Sequence, residues 1–128
     1  MNNNKSTWIW VAVVVFVLAG LFVWSSISKN APSKLDGFAT CLKDKGLTFY
    51  GAFWCPHCQN QKKMFGSAEK FLPYVECSTP DGNGQLDVCK KQGIDGYPTW
   101  QYPDGTREID VISLERLAEK SGCALPTN

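Results

Sequence analysis

A run of seventeen residues from Trp8 to Trp24 carries no charge and no Asn, Gln or Pro, and it governs how the rest of the chain can be organised. Extended to Ile27 it reaches twenty residues. As a helix that is about 30 Å, the thickness of a bilayer's hydrocarbon core. Trp8, Trp10 and Trp24 sit near its ends, where indole rings prefer the membrane interface. The run is apolar on every face, which argues against an amphipathic core helix. Residues 8–27 are therefore expected to cross a membrane as a signal anchor. A cleaved signal peptide is the competing reading, because Ser26-Ile27-Ser28 resembles a small-x-small cleavage site; the run is longer than the usual core of ~7–15 residues. The rest of the 128-residue chain suffices for one domain. The expected division is a cytoplasmic tip, anchor helix and linker over residues 1–30, followed by one domain over 31–128.

Charge does not orient the anchor. Lys5 and the amino terminus flank one side, and Lys29 and Lys34 the other, so the positive-inside rule is balanced. The six cysteines are more informative. That many in a short chain fit an oxidising compartment, which places the domain on the extracytoplasmic side of a single-pass membrane protein. Beyond residue 30 there are eleven Lys+Arg and twelve Asp+Glu. This near-neutral balance shows no basic patch for nucleic acid and no solvating charge block.

Patterning predicts the elements in order. Ser33 and Asp36 resemble a capping box, ahead of a helix whose apolar face is Leu35, Phe38, Ala39 and Leu42, ended by Gly46. Leu47–Phe53 reads as a buried strand. Cys55 to about Glu69 reads as a helix with Pro56 in its first turn. Phe71–Cys77 reads as a strand that Pro73 confines to an edge or an early position. Turn residues fill Ser78–Gly84, and Gln85–Gln92 reads as a short helix ending at Gly93. Thr99–Tyr102 and Arg107–Val111 form a hairpin. Ser113 caps a last helix that Gly122 closes. Alternating units followed by a hairpin predict an α/β fold, a mixed sheet with helices on both faces.

Cys55-Pro56-His57-Cys58 carries the chemistry. A thiol is a nucleophile only as thiolate. Cys55 stands where a strand gives way to a helix, and there the unpaired N–H groups and the helix dipole favour negative charge. A protonated His57 adds a second favourable charge. Cys58, within about one helical turn, can attack a mixed disulfide at Cys55. Cys55 is thus the expected attacking cysteine and Cys58 the resolving one. Thiol–disulfide exchange needs no metal and no organic cofactor. The plainer readings of C-x-x-C are a buried disulfide or half of a zinc site; the preceding strand, Trp54 and the internal proline favour redox chemistry.

Phe53-Trp54-Cys55-Pro56-His57-Cys58 resembles a thioredoxin-superfamily active site, and Gly96-Tyr97-Pro98-Thr99 resembles that superfamily's cis-proline loop. More narrowly, the blocks around Tyr50–Gln59, Gln61-Lys62, Met64-Phe65-Gly66, Tyr74-Val75-Glu76-Cys77 and Gly96–Trp100 resemble the thioredoxin-like domain fused to vitamin K epoxide reductase homologues. The resemblance covers roughly Phe38 to Gly122. It implies a thioredoxin-like fold, either whole or lacking its first strand, with a cis Tyr97–Pro98 bond facing Cys55 and backbone there that pairs with substrate. Without the resemblance, Tyr97-Pro98 reads as an ordinary turn. Many members of the resembling family carry a buried acid six residues before the first active-site cysteine; here that position is Phe49, so no acid is assigned to take the Cys58 proton, and Glu76 is offered as a substitute. A single apolar segment cannot form quinone-binding helices, so a quinone-linked membrane partner would be a separate protein.

The remaining cysteines leave alternatives open. Cys77 and Cys89 bracket the Ser78–Gly84 turn, and the resembling domains carry a second pair in this region. A bridge would close thirteen residues and stabilise by roughly 3 kcal/mol through loop-closure entropy. It is either structural or a redox relay to Cys55 and Cys58. Cys41 and Cys123 pair by parity, or remain free, or bridge to another chain. Cys55, Cys58, Cys77 and Cys89 are also a conceivable zinc set, but lack the second tight pair of a zinc ribbon. Trp100 and Tyr102 belong either to the strand core, the favoured reading, or to an exposed docking surface. The activity expected is disulfide exchange with protein substrates, as oxidase or isomerase. A reductase, or a tethered copper- or zinc-thiolate module, is the alternative.

Overall fold

The computed structural model describes residues 3–30 and 32–127, with side chains for 5–26 and 32–127. The chain divides into two units, the second beginning at Pro32. The boundary expected between residues 30 and 31 falls at Ala31, outside the described residues, as do Met1, Asn2 and Asn128.

The first unit is the helix α1, Asn3–Asn30. Within it Lys5–Ser26, 22 residues, is long and apolar enough to cross a membrane. A signal sequence meets the same requirement. The described side chains of α1 are exposed. The linker expected at the end of residues 1–30 is corrected in part, because helix continues to Asn30. The side chains of Ile27, Ser28 and Lys29, on which the cleavage and orientation readings drew, lie outside the described ones.

The second unit opens with α2, Asp36–Asp44. Ser33 and Asp36 form a reciprocal turn: the Ser33 N–H donates to Asp36 Oδ2 at 3.0 Å, and the Leu35 N–H donates to Ser33 Oγ at 3.2 Å. The helix therefore begins later than the expected cap, with Leu35 in the capping position. Phe38, Ala39 and Leu42 are buried, and Gly46, at φ +80°, lets the chain leave the helix.

β1, Thr48–Gly51, follows, and α3, Pro56–Phe65, leads from it towards β2, Tyr74–Glu76. The two strands run parallel. The helix expected to reach Glu69 is α-helical only to Phe65. Gly66 caps it at φ +56°, ψ −130°, and a 3₁₀ turn over Gly66–Phe71 completes the crossover. A conformation open mainly to glycine ended the helix before its apolar spacing did. Then come α4, Asp87–Lys91, β3, Thr99–Gln101, β4, Arg107–Ile109, and α5, Leu114–Ser121. β4 is shorter than expected because Asp110 takes φ +127°. Ser113 caps α5, accepting from the Arg116 N–H at 3.2 Å, and Gly122 closes it.

Among the described residues the sheet has four strands in the order β2-β1-β3-β4, with β3 antiparallel to both β1 and β4. β2 is an edge strand preceded by Pro73, where a missing N–H does no harm. β1 is short but central, and its alternation divides the core. Phe49 joins the larger cluster with Phe38 and Leu42 of α2, Phe65 of α3 and Leu117 of α5. Tyr50 joins a smaller one with Cys77, Cys89 and Ile94, beside α4. This mixed sheet, layered between helices, is a thioredoxin-like fold. Trp100 and Tyr102 are both buried in the larger cluster, so they belong to the core rather than to a docking surface.

Two features tie the unit together. A disulfide joins Cys41 of α2 to Cys123 beyond α5, with Cα atoms 5.9 Å apart. Closing so long a loop restricts the unfolded chain by about 4–5 kcal/mol through loop-closure entropy. Gln61, fully buried on α3, accepts at Oε1 from Trp100 Nε1–H (3.2 Å) and from the Ile112 N–H (2.7 Å), and donates from Nε2 to the Ile112 carbonyl (3.0 Å). Gln61→Leu keeps the volume but strands these polar partners. It is expected to lower unfolding free energy by roughly 2–4 kcal/mol, read from chemical denaturation.

Candidate active site

The site forms where β1 ends. Gly51 closes the strand, and the chain turns through Ala52–Trp54, with the Cys55 N–H donating to the Ala52 carbonyl at 3.0 Å. Cys55 is the N-cap of α3, in extended conformation, and its sulfur accepts from the Cys58 N–H at 3.5 Å. That position usually holds a side-chain oxygen; here a sulfur receives the orphan amide. Pro56 occupies the first turn, where its missing N–H is harmless. Pro56 and His57 are exposed.

Cys55 and Cys58 are both thiols in this structure. Cys55 is 6% exposed and Cys58 1%, so both are buried and Cys55 is the slightly more accessible residue. Burial pushes the Cys58 thiol up to about 12. A hydrogen bond from the Ala52 backbone pulls the other way, neighbouring Cys55 raises it further, and the Lys62 charge lowers it.

The Tyr97–Pro98 bond is cis. The loop it shapes faces Cys55, whose Sγ–H points to the Tyr97 carbonyl at 3.8 Å. Trp54, half exposed, lies edge-on to Tyr97 with ring centroids 6.2 Å apart.

Cys77 and Cys89 are bonded to each other, with Cα atoms 5.5 Å apart. The bond removes two ligands from the four-thiolate zinc set. As expected of the two cysteines that bracket the Ser78–Gly84 turn, the bond pins the ends of the loop between them. Within that loop Ser78 Oγ accepts from Trp54 Nε1–H at 2.8 Å. Gln85 Nε2 donates to the Tyr97 hydroxyl and to the Ile94 carbonyl, each at 2.7 Å. The loop thus holds two of the side chains that surround Cys55. Neither Ser78 nor Gln85 carried a spacing signal, since their partners lie in other elements.

Glu76 accepts from the Ser78 N–H (2.8 Å) and the Phe53 N–H (3.2 Å) through Oε1, and from the Tyr74 hydroxyl (2.7 Å) through Oε2. It ties β2 to the turn before Cys55. Phe49, six residues before Cys55, is fully buried and stacked on Trp100.

A buried and a more accessible thiol at one helix N-terminus, opposite a cis-proline loop on a thioredoxin-like sheet, define a dithiol site of the thioredoxin type. No family model matches the chain. It is 41% identical over 106 residues to a thiol–disulfide oxidoreductase, LTO1, of Arabidopsis thaliana, covering 79% of this chain and 28% of that protein. A probable protein disulfide-isomerase A6 of Medicago sativa is 30% identical over 88% of the chain and 32% of that protein. Protein disulfide-isomerase erp38 of Neurospora crassa is 27% identical over 86% and 33%. These homologues are thiol–disulfide oxidoreductases and protein disulfide isomerases, which supports the thioredoxin superfamily for the domain. The chain spans about a third or less of their length.

The close packing behind the cysteines is testable. A Cβ on Gly51 would lie 2.8 Å from Tyr74 Cε2 and 3.0 Å from Cys58 Sγ. Gly51→Ala is therefore expected to destabilise by roughly 1–3 kcal/mol through overpacking, measured by thermal and chemical unfolding of the reduced protein.

Proposed function

We propose that this chain is a membrane-anchored protein disulfide oxidoreductase acting through Cys55-Pro56-His57-Cys58. The observation that carries the reading is the asymmetry of the pair: Cys55 is the more accessible residue and its sulfur receives an amide at a helix N-terminus, whereas Cys58 is almost fully enclosed. The oxidised pair reacts with a protein thiolate, which attacks Cys55. The Cys55–Cys58 bond breaks, a mixed disulfide forms at Cys55, and Cys58 leaves as thiolate and takes a proton from water. A second substrate thiolate then displaces Cys55. The substrate gains a disulfide, and the enzyme is left with two thiols. In the reverse direction Cys58 attacks the mixed disulfide and releases the reduced partner.

Tyr97 and Pro98 are read as the backbone platform for an extended substrate segment, Trp54 as a neighbouring wall, and His57 as an exposed charge beside Cys55. The Pro56-His57 dipeptide supports the oxidising direction, as oxidase or isomerase. α1 is read as a retained single-pass anchor, with the domain on the extracytoplasmic side, which the two disulfides outside the reactive pair support. The motif resemblance to domains fused to vitamin K epoxide reductase homologues favours recycling by a quinone-linked membrane partner.

Cys58→Ala is expected to accumulate mixed disulfides at Cys55, identified by mass spectrometry. Trapping at Cys77 or Cys89 would reassign the roles. In redox titration the Cys55/Cys58 pair is expected nearer the DsbA potential, about −120 mV, than that of thioredoxin, about −270 mV; a value at the latter would make the protein a reductase.

We read Cys77–Cys89 as structural. The double variant Cys77→Ala/Cys89→Ala is expected to lose roughly 3 kcal/mol of stability and still to turn over protein disulfides. Abolished turnover in the folded variant would mark the bond as a relay.

A further inference from the structure

Cys58 must lose its proton before it can attack, because only the thiolate is nucleophilic. It must do so where burial opposes ionisation. Among the described residues the ionisable groups that act on it are Cys55, at the cap of its helix, and Lys62, four residues on and on the same side, together with Tyr74 of β2, whose hydroxyl is held by Glu76. From β1, Gly51 lies against its sulfur.

Gly51 makes the arrangement possible. A single point beside its Cα lies 2.8 Å from Tyr74 Cε2 and 3.0 Å from Cys58 Sγ. The tyrosine ring and the sulfur therefore flank the same gap in the strand. Lys62 Nζ sits over that ring, 3.4 Å from its centroid, where a cation is attracted by the ring's negative face. The Tyr74 hydroxyl donates to Glu76 at 2.7 Å, and Glu76 is itself anchored by two backbone amides. The ring is fixed at both ends, and the half-buried lysine is fixed on the ring. A lysine free to extend would gain hydration; this one is kept beside the buried thiol.

We propose that Lys62, seated on Tyr74, is a positioning residue for the resolving step, its charge favouring the Cys58 thiolate as that sulfur attacks the mixed disulfide at Cys55. The inference rests on the roles proposed above for Cys55 and Cys58. The Cys58 proton passes to water. The Cys58 sulfur bonds to Cys55 Sγ, the bond from Cys55 to the partner breaks, and the partner leaves as thiolate carrying the electron pair. The dithiol is oxidised and the partner disulfide reduced.

The test uses the full chain in detergent, with only Cys55 and Cys58 reduced, mixed rapidly with dithionitrobenzoate. The first release of thionitrobenzoate reports attack by Cys55; the second reports resolution by Cys58. Lys62→Met is expected to slow the second phase roughly three- to tenfold at neutral pH and to move its pH–rate profile to higher pH, a tenfold loss of thiolate corresponding to one pKa unit. Lys62→Arg is expected to restore the profile. Lys62→Gln replaces Lys62→Met if near-UV circular dichroism shows the latter misfolded. An unshifted profile in the folded neutral variant overturns the inference, as does equal slowing of both phases. A second phase that persists in Cys58→Ala overturns the underlying assignment of roles instead.

Discussion

The stack of Phe49 on Trp100 is the contact on which the site's geometry depends. Their rings lie 4.8 Å apart and nearly parallel, and the residues face each other across the central strand pair. Such a pair adds about 0.5–1.5 kcal/mol beyond the area it buries. Its larger consequence is positional. Trp100 donates its indole N–H to Gln61 of α3, so one cluster sets β1, β3 and α3 relative to one another. β1 runs directly into the turn before Cys55. α3 begins at the cysteine pair. β3 begins one residue after Pro98. The two segments that meet at the Cys55 sulfur are thus placed by the same buried contact.

The opposite face of β1 supplies the remaining walls. Tyr50 packs with Cys77, Cys89 and Ile94, and the disulfide between the two cysteines holds the ends of the loop that bonds to Trp54 and Tyr97. The difference in burial between Cys55 and Cys58 follows from these constraints. Cys55 lies at the helix tip, whereas Cys58 is one turn deeper, against Gly51 and the Tyr74 ring. That asymmetry is the physical basis for the proposed division between a sulfur that meets partners and one that resolves.

Much of this was legible beforehand where the signal was local. Gly46, Gly93 and Gly122 end helices as glycines in left-handed conformation do, and Ser113 accepts its capping bond. Pro73 did mark an edge strand. The hairpin from Thr99 to Ile109 followed from turn residues between apolar runs. Reading failed where two local rules competed. Apolar spacing carried α3 past Gly66, but a glycine-only conformation ended it there. Ser33 was expected to cap α2 and instead shaped the turn before it. Phe53 was grouped with a strand but sits exposed in the turn, since β1 stops at Gly51.

What the sequence determined alone is what neighbours along the chain can enforce. It set the apolar length of α1, the helix beginning at a Cys-Pro-His-Cys motif, the period of each buried face and the glycine stops. Tertiary structure alone decided the rest, because those contacts join residues far apart in the chain. It selected the partners of Cys41 and Cys77 and put Gln61 under Trp100. It bonded Ser78 to Trp54 and Gln85 to Tyr97, and it seated Lys62 on the ring beside Cys58. Spacing has no bearing on such contacts. They arise only when the sheet twists four separate segments to within a few ångströms of one another, and hydrogen bonds and cation–π attraction act only over that range.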